Sequence, residues 1–113
     1  MCSYFAANGV PSCGSNFLMN DMVRTRWRQP NAVFMSDCSA VANFEKNGFA
    51  ANDTDASAKA LNAGLDVYGG WNDHLWQKGD LAAAIDAGMT TEAKLDDAVV
   101  RTTLHKLKAS GTL

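Results

Sequence analysis

The sequence predicts an α/β fold with parallel strands, and three observations lead to it. Short apolar runs, Ala32-Val33-Phe34-Met35 chief among them, have the composition of strands buried on both faces. Capped stretches of helical length lie between those runs. The two kinds of segment alternate at the spacing of βαβ units.

In chain order, residues 1–5 (Met-Cys-Ser-Tyr-Phe) have strand composition. Residues 6–14 read as a loop, with Asn8-Gly9 and Val10-Pro11 as turn signals. Ser15 or Asn16 then suits the cap of a helix over Phe17 to Trp27. Leu18, Met22 and Val23 share one of its faces, and Arg24, Arg26 and Arg28 crowd the end where cations suit the dipole. The second strand is 32–36, opened by Pro30-Asn31. Over 39–49, Val41, Phe44 and Phe49 offer packing surface, but Asn47-Gly48 interrupts any helix. Residues 52–55 supply a cap for a short helix, Ala56 to Asn62, ending at Ala63-Gly64. Residues 65–68 form the third strand, closed by Gly69-Gly70. Next come an amphipathic segment at 71–77 and a helix at 80–87 ended by Gly88. The last helix is capped by Thr90, with Glu92 in its first turn. It is apolar on two sides, Leu95, Ala98 and Val99 on one and Val100, Leu104 and Leu107 on the other, so neighbours are expected to cover it.

Three such strands do not close a barrel, which needs about eight strands and roughly 250 residues. A flavodoxin-like sheet would want five. The expectation is the closing part of a (β/α)8 TIM barrel, its last three βα units.

Composition narrows the function. The chain has 113 residues, 47% hydrophobic and 19% charged, which suits a packed interior rather than disorder. Ten Lys and Arg against 12 Asp and Glu give a net charge of −2 with no block of either sign, which argues against nucleic acid or an anionic membrane as partner. No apolar run approaches the roughly 20 residues of a membrane span. No signal peptide is visible at residues 1–5. Cys2, Cys13 and Cys38, with His74 and His105, fall in separate segments without metal-ligand spacing, so no metal is expected. The cysteine pairing stays open, with Cys13–Cys38 one candidate in an oxidising compartment.

The chemistry gathers at Ser36-Asp37-Cys38. A carboxylate at the C-terminal tip of a buried parallel strand is where α/β barrels place their reactive groups. The plainer reading is that Asp37 caps the segment that follows.

The motifs Met-Cys-Ser-Tyr at 1–4, Asn-Gly-Val-Pro-Ser-Cys at 8–13, Ser-Asp-Cys at 36–38 and Ala-Gly-Leu-Asp at 63–66 occur in order. Together with Leu95-Asp96-Asp97-Ala98-Val99-Val100-Arg101 they make the chain resemble family 3 glycoside hydrolases, most closely the β-xylosidase branch. The resemblance covers nearly all of residues 1–113 and places them in the C-terminal part of that family's barrel domain. It implies a retaining, exo-acting β-glycosidase acting on oligosaccharides or β-glycosides, without a cofactor. Asp37 falls on the nucleophile. Tyr4 and Met1 fall on sugar-facing positions, and Cys38 stands where β-glucosidases often carry Trp. Each has a plainer alternative: a satisfied core tyrosine for Tyr4, an initiator residue for Met1. The family's acid/base Glu comes from a second domain and its other sugar-binding residues from earlier strands, so the rest of the barrel and that domain are expected partners. Members of this type are often secreted. The sequence departs from the family's pattern at Phe5, where Asn is usual, at 28–31, and after Asp66. The competing reading is a non-catalytic barrel remnant or interaction module.

Overall fold

The computed structural model describes residues 1–72 and 74–113. Three backbone segments lie side by side and parallel, Cys2 pairing with Ser36 and Met35 with Val67. Cys2 N donates to Met35 O and Asp37 N to Cys2 O, both at 2.9 Å. On the other edge Ser36 N donates to Val67 O and Val67 N to Phe34 O, both at 3.0 Å. The segment around Met35 is thus the middle one. The expected strands 1–5, 32–36 and 65–68 are present as isolated parallel bridges rather than extended strands. Their slanted bonds are weaker per residue than antiparallel ones, and among the described residues no further parallel segment pairs with either outer one.

A regular sheet forms where a loop was expected. β1 (Ala6–Ala7) pairs antiparallel with β2 (Val10–Pro11), Ala6 opposite Pro11 and Ala7 opposite Val10. Asn8 and Gly9 turn the hairpin at φ 52° and 79°, the positive values that tight hairpins select. The hairpin folds the 3₁₀ turn Ser12–Gly14 back onto the first segment, and Cys13 bonds Cys2 across a Cα–Cα distance of 5.2 Å. Cys38 is free and exposed. The Cys13–Cys38 pairing is therefore not the one formed, because the turn returns Cys13 to its own strand before the chain reaches residue 38.

Phe17–Arg26 is helical, but wound with i→i−5 bonds, as in Trp27 N to Met22 O at 2.9 Å. Ser15 Oγ accepts from Leu18 N at 3.2 Å, so Ser15 serves as a cap. Met19 is the buried residue, while Leu18, Met22 and Val23 are only partly covered. Arg24 turns inward instead of serving the helix dipole. The interrupted stretch 39–49 yields a short α1 (Asn43–Lys46), which buries Phe44 and sets its ring edge-on to Phe49 at 5.0 Å. α2 (Asp53–Ala63) starts earlier than expected: Asn52 caps it by accepting from Asp55 N at 2.9 Å. Gly64 ends it at φ 106°, where a Cβ would meet Arg24 Nη1 at 2.5 Å. Four of its alanines, Ala56, Ala58, Ala60 and Ala63, are buried, which lets this helix sit close under the core. The expected amphipathic segment 71–77 includes Asp73, which lies outside the described residues; among the described ones no regular helix forms, Leu75 is buried and Trp76 packs on Tyr68 at 5.9 Å. α3 (Asp80–Asp86) packs on α2. α4 (Glu92–Ala109) is capped by Thr91 rather than Thr90, whose buried hydroxyl donates to Asn62 Oδ1 at 2.8 Å. α4 is not covered on both sides. Only Ala98 is buried, and Val99 and Val100 are each 55% exposed, because α2 meets it on one side only.

The main core joins Cys2, Cys13, Met19, Val41, Phe44, Leu65 and Leu75 to the α2 alanines. A smaller cluster, Leu61, Leu81 and Ala98, joins α2, α3 and α4. Beside the core, Asp66 ties the elements together. Its fully buried carboxylate accepts from Arg24 Nη2 (2.6 Å), Arg101 Nε (2.7 Å) and Phe34 N (2.8 Å). Burial lowers the pKa of Arg24, and the charge of Asp66 opposes that shift.

Among the described residues no helix is long and apolar enough to cross a membrane, and no group of three or more His, Cys, Asp or Glu is placed to hold a metal ion.

Candidate active site

Asp37 follows the middle parallel segment directly, and both neighbouring segments pin its backbone through the amides of Ser36 and Asp37. Ser36 is buried, and its hydroxyl accepts from Gly69 N at 2.8 Å. Gly69 lies so close that a Cβ there would stand 2.5 Å from Ser36 O, which explains the glycine. Ser39 sits at φ 58° and donates its amide to Gly69 O at 2.9 Å. A non-glycine residue at positive φ is held there by its surroundings, and such positions gather at functional sites. Sequence reasoning saw Gly69-Gly70 only as the end of a strand. Its grip on Ser36 and Ser39 left no signal beyond the glycines themselves.

Asp37 does not cap a helix. α1 begins further on, with Ala42 at its N-cap. The Asp37 carboxylate is partly buried and accepts from Cys38 N at 2.8 Å through Oδ1.

Tyr4 comes to the same corner from the first segment. Its hydroxyl donates to Cys38 O at 2.8 Å, and its ring is half exposed, which removes the core-tyrosine alternative. Desolvation first, then the charge and hydrogen bonding of Asp37 and the charge of Cys38, raise its pKa above the ordinary 10.0. The phenol therefore stays protonated at neutral pH and remains a donor. The structure thus brings Asp37, Tyr4 and Cys38 together. Met1 is exposed and lines a different groove, with Val33, Met35, Val67 and the α4 residues Thr102, His105 and Lys106.

Among the described residues no hydrogen bond or ion pair joins a second carboxyl to Asp37. Glu45 on α1 and Glu92 on α4 are both exposed. A rigid carboxylate with a neighbouring neutral phenol can attack an electrophilic carbon, but this corner supplies no partner acid. Sequence reasoning also missed the groove on the far side of Tyr4, between the β1–β2 hairpin and the 47–49 turn. Its signals were Asn8-Gly9 and Asn47-Gly48, read only as breaks.

Residues 1–104 match the model of the glycosyl hydrolase family 3 N terminal domain. The chain is 36% identical over 104 residues to a probable exo-1,4-beta-xylosidase, bxlB, of Aspergillus fumigatus, covering 89% of this chain and 13% of that protein. It is 38% identical over 101 residues to beta-D-xylosidase 3 of Arabidopsis thaliana, covering 88% and 12%. Among solved structures it is similar to a beta-glucosidase from Listeria innocua, with TM-score 0.75, 28% identity and coverage of 85% and 13%. It is also similar to a GH3 exo-beta-xylosidase, XlnD, solved with a xylobiose aziridine probe, with TM-score 0.73, 29% identity and coverage of 86% and 12%. The chain therefore spans about an eighth of the length of these relatives. With the family model matched over nearly its whole length and that likeness repeated in curated relatives and in solved structures, this chain belongs to glycosyl hydrolase family 3, in its N-terminal domain.

Proposed function

We propose that these residues are the closing part of a (β/α)8 barrel, its last three βα units, in a retaining exo-acting β-glycosidase of the β-xylosidase kind. In this reading Asp37 is the nucleophile. The observation that carries it is the corner itself: a carboxylate fixed at the end of the middle parallel segment, beside a neutral tyrosine hydroxyl. Relatives named exo-1,4-beta-xylosidase over 89% of the chain support the choice of chemistry.

A retaining glycosidase needs an ionised carboxylate to form a glycosyl ester, and a second carboxyl about 5–5.5 Å away to protonate the leaving oxygen and later activate water. Asp37 supplies the first. Its rigid backbone provides the alignment on the anomeric carbon that in-line attack requires. Tyr4 remains a donor in the working pH range and steadies charge beside the reacting sugar. Cys38 stands beside them at the same corner, whereas Met1 lines a separate groove and takes no part in this reading. The second carboxyl comes from outside these residues, as do the remaining strands of the barrel, so the isolated chain lacks general-acid catalysis worth 10²–10⁴-fold. The Cys2–Cys13 disulfide supports an oxidising compartment.

The test is Asp37→Asn in the longer enzyme that carries this chain. The amide is nearly isosteric but forms no ester, so hydrolysis of β-xylosides and β-glucosides should fall at least a thousandfold with the melting temperature unchanged. Near-normal turnover in that variant would overturn the reading.

A further inference from the structure

We propose that the pocket between the Phe17–Arg26 helix, the end of α2 and the first half of α4 is a binding site for a small oxyanion of the phosphate kind. It opens beside Asp66, at the start of the third parallel segment, whereas Asp37 follows the end of the middle one. The pocket holds about 150 Å³, room for one small anion, and is lined by Arg24, Arg101, Lys94, Asp97, Asn20 and Asn62.

Cationic donors outnumber their acceptors here. Arg24 and Arg101 share a single carboxylate, that of Asp66, at 2.6 and 2.7 Å. Arg24 is also held by Ala32 O and Asn20 Oδ1. Arg101 reaches Asp66 through Nε alone, so both of its terminal nitrogens have no acceptor among the described residues. Lys94 Nζ meets only Asn62 O, at 3.5 Å. Asp97 lines the pocket but forms no ion pair with a described residue. Three cations against the carboxylates of Asp66 and Asp97 leave the pocket net positive. The crowding registers on Arg24: burial chiefly lowers its pKa, Asp66 opposes that, and the charge of Arg101 lowers it further.

Two oxygens of a phosphate match the paired N–H donors of a guanidinium, and such charge-assisted bonds are roughly twice as strong as neutral ones. Arg101 is fixed for that contact by its Nε bond to Asp66, and Lys94 adds a mobile point charge. The carbonyls at the end of α2, which would repel an anion, already have donors. Gly64 N bonds Leu61 O, Lys94 Nζ bonds Asn62 O and Asn20 Nδ2 bonds Ala63 O. The remaining opposing group is Asp97, one helical turn before Arg101 on α4, which competes with the anion for the same cations.

The experiment titrates inorganic phosphate into the longer enzyme that carries this chain, as wild type, Lys94→Gln and Asp97→Asn. Ionic strength is held constant with sodium chloride, because exposed charges are screened by salt. The dissociation constant is read from phosphorus NMR line broadening, and circular dichroism checks the fold of each protein. Lys94 and Asp97 are both exposed, so neither change disturbs the buried Asp66 network. Lys94→Gln should weaken phosphate about fivefold, and Asp97→Asn, which removes the competing charge, should tighten it about threefold. Opposite shifts in the two variants support the site. Absence of binding to the wild type overturns it, and so does any other pattern, including the equal response of all three proteins that a general salt effect produces.

Discussion

Replacing Asp66 by Asn should destabilise the fold far more than an isosteric change would suggest. The carboxylate is 0% exposed and lies between Arg24, whose side chain is 9% exposed, and Arg101, at 18%. The amide keeps the shape but has no charge, and its NH2 group faces a guanidinium. Removing one partner of a buried ion pair costs about 3–5 kcal/mol, because the remaining charge is left uncompensated. Arg24 keeps other acceptors, Asn20 Oδ1 at 2.7 Å and Ala32 O at 3.0 Å, which points to the lower end of that range. For a domain of this size, about 3 kcal/mol corresponds to roughly 10–15 °C in melting temperature. Urea and thermal unfolding followed by circular dichroism would read it. Replacing all three charges together (Arg24→Met, Asp66→Leu, Arg101→Met) should recover most of the loss, since apolar substitutes for a buried network are often neutral or better. A loss under about 1 kcal/mol for Asp66→Asn would refute the claim that this carboxylate holds the elements together.

Reducing the Cys2–Cys13 disulfide, which closes a sequence separation of 11 residues, should cost about 3 kcal/mol; equal urea midpoints with and without reductant would contradict this. Asp55 accepts from Lys59 Nζ and Ala51 N, both at 2.8 Å, and the Lys59 hydrogen bond chiefly holds its pKa below 3.8. The folded value is depressed, so this contribution is complete above pH 3.8 and lost as pH falls through the folded value. The stability difference between wild type and Lys59→Met should therefore narrow below pH 3.8, and a gap that does not change with pH would count against it. The chain by itself should associate with rising concentration in light scattering, because among the described residues no further parallel segment pairs with the outer two and Met35, Val99 and Val100 are 45%, 55% and 55% exposed. A sharp monomeric unfolding transition independent of concentration would show otherwise.

Local signals in the sequence foretold the pieces better than their contacts. Asn52, Gly64 and Glu92 marked helix ends because caps act within one turn, and the parallel course of the three segments followed from the alternation of buried runs with helices. Long-range pairing was not legible. Arg24 read as a dipole partner because nothing near it in sequence announces Asp66, 42 residues on. The Cys2–Cys13 bond depends on a hairpin whose Asn8-Gly9 signal was plain but whose flanking residues, Ala6-Ala7 and Val10-Pro11, are too few to show alternation. α4 misled because an apolar pattern on two sides implies coverage without saying which element provides it. At the candidate site, the strand-end Asp37 and its neighbour Tyr4 could be read from the motifs. The grip of Gly69 on Ser36 and the groove beyond Tyr4 could not, since backbone–backbone approach leaves no side-chain pattern.

The most direct test of the central claim is to trap the intermediate. The longer enzyme would be incubated with a 2-deoxy-2-fluoro β-xyloside or β-glucoside bearing a good leaving group, digested, and the glycosylated peptide identified by mass spectrometry. A nucleophile held as Asp37 is held here attacks the anomeric carbon, and the fluorine slows hydrolysis of the ester so that it accumulates. Stoichiometric label on the peptide containing Ser36-Asp37-Cys38, lost in Asp37→Asn, is the predicted result; label on any other carboxylate would contradict it.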